Sequence, residues 1–213
     1  MTSKPYKPTD KMAPDFNVEK ILMPEALHKA KEDFARVQKE FEADPSNEEK
    51  FSDLFDCCQH LNNYEVMRDA SDKILKFKPG LIYAHVFLII ALNGLKHHEE
   101  VVDACQRVLA LNSDESRETI YQYLGDSLLE LKKFQEALGA YEKTIIFKTD
   151  EISDPDLFEK MAEILFNLNR NEDAHKYLER ANRAMQENAK NPKRRLLDEE
   201  IRKAIQKNLK KVQ

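Results

Sequence analysis

From residue 25 onward, apolar positions recur at steps of three and four, the spacing that gathers them on one face of an α-helix. Glu25–Ala43 carries Leu27, Ala30, Phe34, Val37 and Phe41 on such a stripe, with charged residues opposite. Pro24 suits a first helical turn, and Asp44-Pro45-Ser46 ends the run. Four longer units follow, each predicting two helices about a turn. Glu48–Leu81 has Phe51, Leu54, Phe55 and Cys58 on its first stripe, Leu61 at the turn, then Tyr64, Met67, Ser71 and Ile74. Ile82–Arg117 has His85, Leu88, Ile89 and Leu92, Leu95 at the turn, then Val101, Cys105 and Val108. Glu118–Ser153 has Tyr121, Leu124, Gly125 and Leu128, a break at Leu131–Lys133, then Phe134, Ala137, Tyr141 and Thr144. Pro155–Asn188 has Phe158, Met161, Ala162 and Leu165, Leu168 at the turn, then Ala174, Leu178 and Ala181. The turns LNNY, LKHH, LKKF and LNRN hold the same place in all four units. Asn191-Pro192 interrupts the pattern, after which Lys193–Gln213 resumes it with Leu196, Leu197, Ile201, Ala204, Ile205 and Leu209.

Within Glu118–Glu151 the order is aromatic, Leu, Gly, Leu, then aromatic, Ala, Tyr, Thr, carried by Tyr121, Leu124, Gly125, Leu128, Phe134, Ala137, Tyr141 and Thr144. Gly125 and Ala137 are small where two helices must approach closely. This unit resembles a tetratricopeptide repeat; Thr149 stands where the family's closing proline would be, whereas Pro79 closes the first unit in register. Two units run slightly wide of the family period, which puts extra residues in the loops after Leu111 and Thr149. The resemblance implies an all-α, right-handed superhelix (an α-solenoid) of helix-turn-helix repeats with flanking N- and C-terminal helices, about ten helices in all. The expected organisation is a flexible leader over 1–16, a capping helix within 17–47, a repeat domain over 48–190 with units 48–81, 82–117, 118–153 and 155–188, and a basic amphipathic capping helix over 191–213. A solenoid needs polar caps because its end units otherwise leave an apolar face open.

Composition agrees with helices. The 213 residues include only 4 Gly and 8 Pro, with 34% charged and 41% hydrophobic residues. A formal net charge of −5 argues against nucleic acid as the main partner. Cys57, Cys58 and Cys105 are odd in number and form no CxxC, so they read as reduced thiols inside a core. Met1–Phe16 has prolines among polar residues and lacks the apolar stretch of a signal peptide. The longest apolar run, Leu81–Leu92, is too short to span a bilayer. The expectation is an intracellular, cytoplasmic protein, free or within a cytoskeletal, ciliary or nuclear assembly.

No catalytic, cofactor or metal constellation is expected. Gly80, Gly94, Gly125 and Gly139 are scattered, so no phosphate-binding loop forms. His97 and His98 are adjacent at a helix start and cannot both face one ion with Glu99 and Cys105. The expected role is non-catalytic: an adaptor or assembly subunit.

The resemblance implies that the first helix of each pair faces a partner in a concave groove. On that facing, Tyr83, Val86, Phe87 and Ile90 make an apolar floor, joined by Gln122 and Tyr123, while Asp53, Asp56, Asp126 and Glu163 make an acidic rim. Such a groove suits a protein or peptide segment with apolar anchors and basic flanks. Family members that clamp the acidic C-terminal tails of heat-shock chaperones use Lys, Asn and Arg there; the acidic rim departs from that pattern, which leaves a chaperone-linked role as an alternative. The chain's own ends are a second candidate occupant, since Lys190–Gln213 holds nine basic residues against three acidic. That same segment supports a further alternative, a factor bound to nucleic acid or an anionic membrane through its C-terminal helix.

Overall fold

The computed structural model describes residues 24–111, 113–147 and 154–190. The expected leader, the loop after Thr149 and the closing helix over 191–213 lie outside the described residues. Among the described residues there are nine α-helices and no strand. They are α1 (Pro24–Ala43), α2 (Glu48–Leu61), α3 (Tyr64–Phe77), α4 (Ile82–Gly94), α5 (His98–Leu109), α6 (Arg117–Glu130), α7 (Phe134–Phe147), α8 (Pro155–Asn167) and α9 (Asn171–Lys190). Each packs on the next in sequence, so the architecture is an all-α helical solenoid.

Helix starts follow from side-chain caps. Asn47 accepts the amides of Glu49 and Lys50 at the head of α2, at 3.0 and 3.2 Å. Asp154 accepts the Leu157 amide at 3.2 Å, with Pro155 in the first turn of α8. The four recurring turns share one backbone solution. The residue after each turn leucine is left-handed: Asn62 at φ 54°, Lys96 at 61°, Lys132 at 58° and Asn169 at 59°. One residue on, the amides of Asn63, His97, Lys133 and Arg170 donate to the carbonyls of Cys58, Leu92, Leu128 and Leu165, each within 3.0 Å. This Schellman closure satisfies carbonyls that a helix end leaves unpaired. Asn tolerates the left-handed region; at Lys96 and Lys132 the β-carbon is strained.

The core is continuous along the solenoid. Phe41, Phe51, Leu54, Phe55, Met67 and Ile74 bury the α1–α3 end. Leu88, Ile89, Leu92, Val101, Val108 and Ile120 form the middle. Tyr141, Met161, Ile164, Leu165 and the alanines of α9 form the far end. Ile90 touches both the first and second groups, and Leu124 both the second and third.

The expected close approach at Gly125 is present. A β-carbon there would stand 2.6 Å from Cε1 of Tyr141. Tyr141 is fully buried, and its hydroxyl donates to Asp126 at 2.6 Å, so the ring has nowhere to retreat. Gly125→Ala should therefore lower unfolding free energy by about 1–3 kcal/mol through overpacking, although alanine is the better helix former by about 1 kcal/mol. Lys132→Gly, which removes a strained β-carbon, should raise it by about 1 kcal/mol. Urea unfolding followed by circular dichroism reads both; a G125A protein as stable as its parent would mean that α6 and α7 are not held at this contact.

Candidate functional site

The first helices of the four pairs are α2, α4, α6 and α8, and they differ from the second helices in charge. Together they carry ten acidic residues against three basic, whereas α3, α5, α7 and α9 carry twelve against nine. The negative charge of the chain is thus concentrated on one set of helices. Within that set α4 has no charged residue apart from His85, so apolar surface is flanked by acid.

The residues expected to make the floor sit on and around α4. Val86 is 9% exposed, while Tyr83, Phe87 and Ile90 are half-buried. Tyr83, Phe87 and Ile90 are covered from one side by the preceding pair, whereas Val86 is buried in the middle group of the core. Phe87 stacks nearly parallel on Phe55, at an interplanar angle of 10°, and lies 5.7 Å from Phe51 and 5.5 Å from Tyr83. What these side chains leave accessible is therefore the edge of a packed aromatic group, a rigid surface rather than a loose patch. Gln122 and Tyr123 are half-buried on α6 next along. Burial pushes the Tyr123 phenol upward, assisted by nearby Asp126, so it remains a neutral donor.

The expected rim divides into free and engaged acids. Asp53, Asp56 and Glu163 are exposed. Partial burial raises the Asp56 carboxyl above its ordinary value, and the like charge of Asp53 adds to this. Asp126 is engaged: its Oδ1 accepts from Lys160 Nζ of the next pair and from Tyr141 OH, each at 2.6 Å. A comparable node stands at the other end. Glu48 accepts from Tyr83 OH at 3.0 Å and from Lys78 Nζ, tying α2 to the start of α4. The Tyr83 phenol is pushed up to about 12 by burial and by Glu48. Both nodes join successive pairs through a carboxylate, a tyrosine hydroxyl and a lysine, and so they fix how neighbouring repeats sit. Sequence reasoning placed Tyr141 in the core but missed these nodes, because partners 15 to 35 residues apart leave no local pattern.

His97 and His98 flank the start of α5, with His97 Nδ1 3.0 Å from Glu100 Oε1, an ordinary helix-start pair. Burial pushes the Cys58 and Cys105 thiols up to about 12, which makes them poor nucleophiles. No helix among the described residues is long and apolar enough to cross a membrane.

No protein-family model and no curated protein sequence matches the chain. Solved structures do. A crystal structure of MamA superposes with a TM-score of 0.66 at 23% identity, covering 76% of this chain and 95% of that one. A second MamA crystal structure gives 0.65 at 23% identity over 82% and 96% of the two chains. MamA from residue 41 onward, from Desulfovibrio magneticus RS-1, gives 0.65 at 12% identity over 80% and 97%. At these identities the likeness is one of fold alone, an all-α helical repeat.

The Glu48 node has a pH signature. Hydrogen bonds from Lys78 and Tyr83 hold its carboxyl below the usual glutamate range. The native state therefore favours the ionised form, and its contribution is complete above the unfolded value of about 4.3. Thermal stability of the parent should exceed that of Glu48→Gln at pH 7, and the gap should close as pH falls through the lowered folded-state value. A gap that does not change with pH would remove the ionic contact from the account.

Proposed function

We propose that this protein is a non-catalytic adaptor that holds a segment of another protein against the face formed by α2, α4, α6 and α8. The observation that carries this reading is the pairing of an uncharged helix, α4, with flanking acid on the neighbouring first helices. A partner segment with apolar anchors would lay them along Tyr83, Phe87, Ile90 and Tyr123. Its basic flanks would meet Asp53, Asp56 and Glu163, the exposed acids. Charge of this kind selects the partner and speeds encounter more than it adds affinity, while the packed aromatic edge supplies the anchoring contact. Gln122, half-buried between floor and rim, is a hydrogen-bonding group for the bound backbone.

The same charge disfavours an acidic C-terminal tail, and Lys160, a basic side chain of α8, is already held by Asp126. The fold likeness to MamA is consistent with a scaffold role and goes no further.

Selection from a random peptide library displayed on phage tests the reading without knowledge of the natural partner. Enriched peptides should carry aliphatic or aromatic anchors flanked by Lys or Arg. Asp53→Lys combined with Glu163→Lys should weaken a selected peptide by about tenfold or more, equivalent to about 1.4 kcal/mol, and should flatten its salt dependence. Enrichment of acidic tails, or affinity indifferent to both reversals, would overturn the assignment. Phe87 is a poor probe here, because its substitution would also disturb the stack on Phe55.

A further inference from the structure

Of the four glycines, two are explained by contacts and one by a turn. Gly94 is pressed against the ring of Tyr64 and Gly125 against that of Tyr141. Gly80 lies in the turn between α3 and α4. Gly139 has neither reason. It sits inside α7, and a β-carbon built on it would meet nothing within 4 Å. Glycine is an unfavourable residue inside a helix, and its own chain does not require it here. What a missing β-carbon offers at an open surface is close approach by another backbone.

The side chains around Gly139 make one face. Gln135, Glu136, Glu142, Lys143 and Ile146 are all exposed, while Ala137, Leu138, Ala140, Tyr141 and Thr144 are buried on the opposite side of α7. At 3.6 residues per turn, Glu136 and Lys143 share one flank of Gly139, two turns apart, and Gln135 and Glu142 share the other. Gly139 lies at the middle of both pairs. Among the described residues, Glu136, Glu142 and Lys143 have no ion-pair or hydrogen-bond partner in their own chain. Ile146, two turns beyond Gly139 on the same face, is 67% exposed. The other large apolar side chains exposed among the described residues are Phe77 at the end of α3, Leu111 past α5 and Met185 on α9. Those three helices contain no glycine, and single exposed apolar residues are ordinary on a protein surface.

A second copy of α7 completes the face. A twofold axis through Gly139 sets the two helices antiparallel and lays each flank on the same flank of the other copy. Glu136 then meets Lys143 of the second copy at both ends of one flank. On the other flank the Gln135 amide donates to Glu142 of the second copy, twice over. Parallel packing would also pair Lys143, with Glu142, and would set Ile146 on itself. It would, however, bring like helix ends together, along with the exposed Lys132 and Lys133 of both copies. The antiparallel order separates these lysines and places them at the carbonyl end of the other helix, where cations are favoured. Their stems then lie against Ile146. We propose that the exposed face of α7 is the self-association surface of this protein, closed antiparallel across Gly139 by a second copy of the chain. The contact is one helix per copy, at the small end of protein interfaces, so the dimer is weak and concentration-dependent. It lies on a second helix, and the proposal does not depend on what the first-helix face binds.

Sedimentation equilibrium of the full chain across a wide range of concentration reads the dimer. Gly139→Gln fills the open position without meeting its own chain. It should weaken dimerisation about tenfold or more, or about 1.4 kcal/mol, with no fall in the thermal midpoint. Glu136→Lys and Lys143→Glu should each weaken it as well, because each sets like charges opposite one another across the axis. An equimolar mixture of those two variants should associate again, since opposite charges then face at both contacts. A parent that stays monomeric, a dimer indifferent to Gly139→Gln, or a mixture that fails to associate would each overturn the proposal. A dimer weakened by Lys143→Glu but not by Glu136→Lys would mean parallel order and would overturn it too.

Discussion

The structure depends on covering most of α4. Its sequence, IYAHVFLIIALNG, has no polar face to present to water. A helix of this kind is stable only where neighbours surround it. α3 and the phenylalanines of α2 cover it from one direction, and α5 and α6 from the other. Ala84, Leu88, Ile89, Ala91 and Leu92 are all nearly inaccessible as a result. Burial of a Leu or Ile side chain contributes about 1.5–3 kcal/mol, so this helix joins the α1–α3 end of the core to its middle, and Leu124 of α6 carries the packing on to the far end. It also leaves part of an apolar edge on the side lined by the first helices, which is the basis of the functional reading.

Around that helix, two local devices set the repeat geometry. The left-handed residue and Schellman closure after Leu61, Leu95, Leu131 and Leu168 turn the chain identically four times. Small residues then let helices approach where a side chain would hold them apart, at Gly94 against Tyr64 and at Gly125 against Tyr141. The carboxylate nodes at Glu48 and Asp126 link successive pairs, α2 to α4 and α6 to α8, and also tie the two helices of one pair, through Lys78 after α3 and Tyr141 on α7. Exposed ion pairs are usually weak. Here each carboxylate also accepts a tyrosine hydroxyl, so the node constrains the orientation of packed elements as well as adding a surface charge contact.

Much of this was legible in the sequence because the signals are local. Apolar steps of three and four gave the helices, and the residues named on those stripes, such as Phe51, Met67, Ile89, Val108, Met161 and Ala181, are buried. Gly125 was readable as a close-approach position because only the absence of a β-carbon explains a glycine in mid-stripe. The recurrence of the turns was visible, but their chemistry was not: LKHH and LKKF show Lys at a left-handed position where Gly or Asn would have announced it. The site was less legible. Helical facing says that Phe87 looks away from its own core stripe, but not that Phe55 meets it there. Likewise the acidity of Asp126 was visible, but its capture by Lys160, 34 residues on, belongs to tertiary structure alone.

The central claim is that the first-helix face receives a partner segment with apolar anchors and basic flanks. Amide chemical-shift mapping of the full chain with a selected peptide tests it most directly. The account predicts that perturbations gather on Ser52–His60, Tyr83–Asn93, Thr119–Glu130 and Glu159–Asn167, in a pattern that repeats every three to four residues. Perturbations gathered instead on the exposed sides of α3, α5 and α7, with the first helices silent, would contradict it.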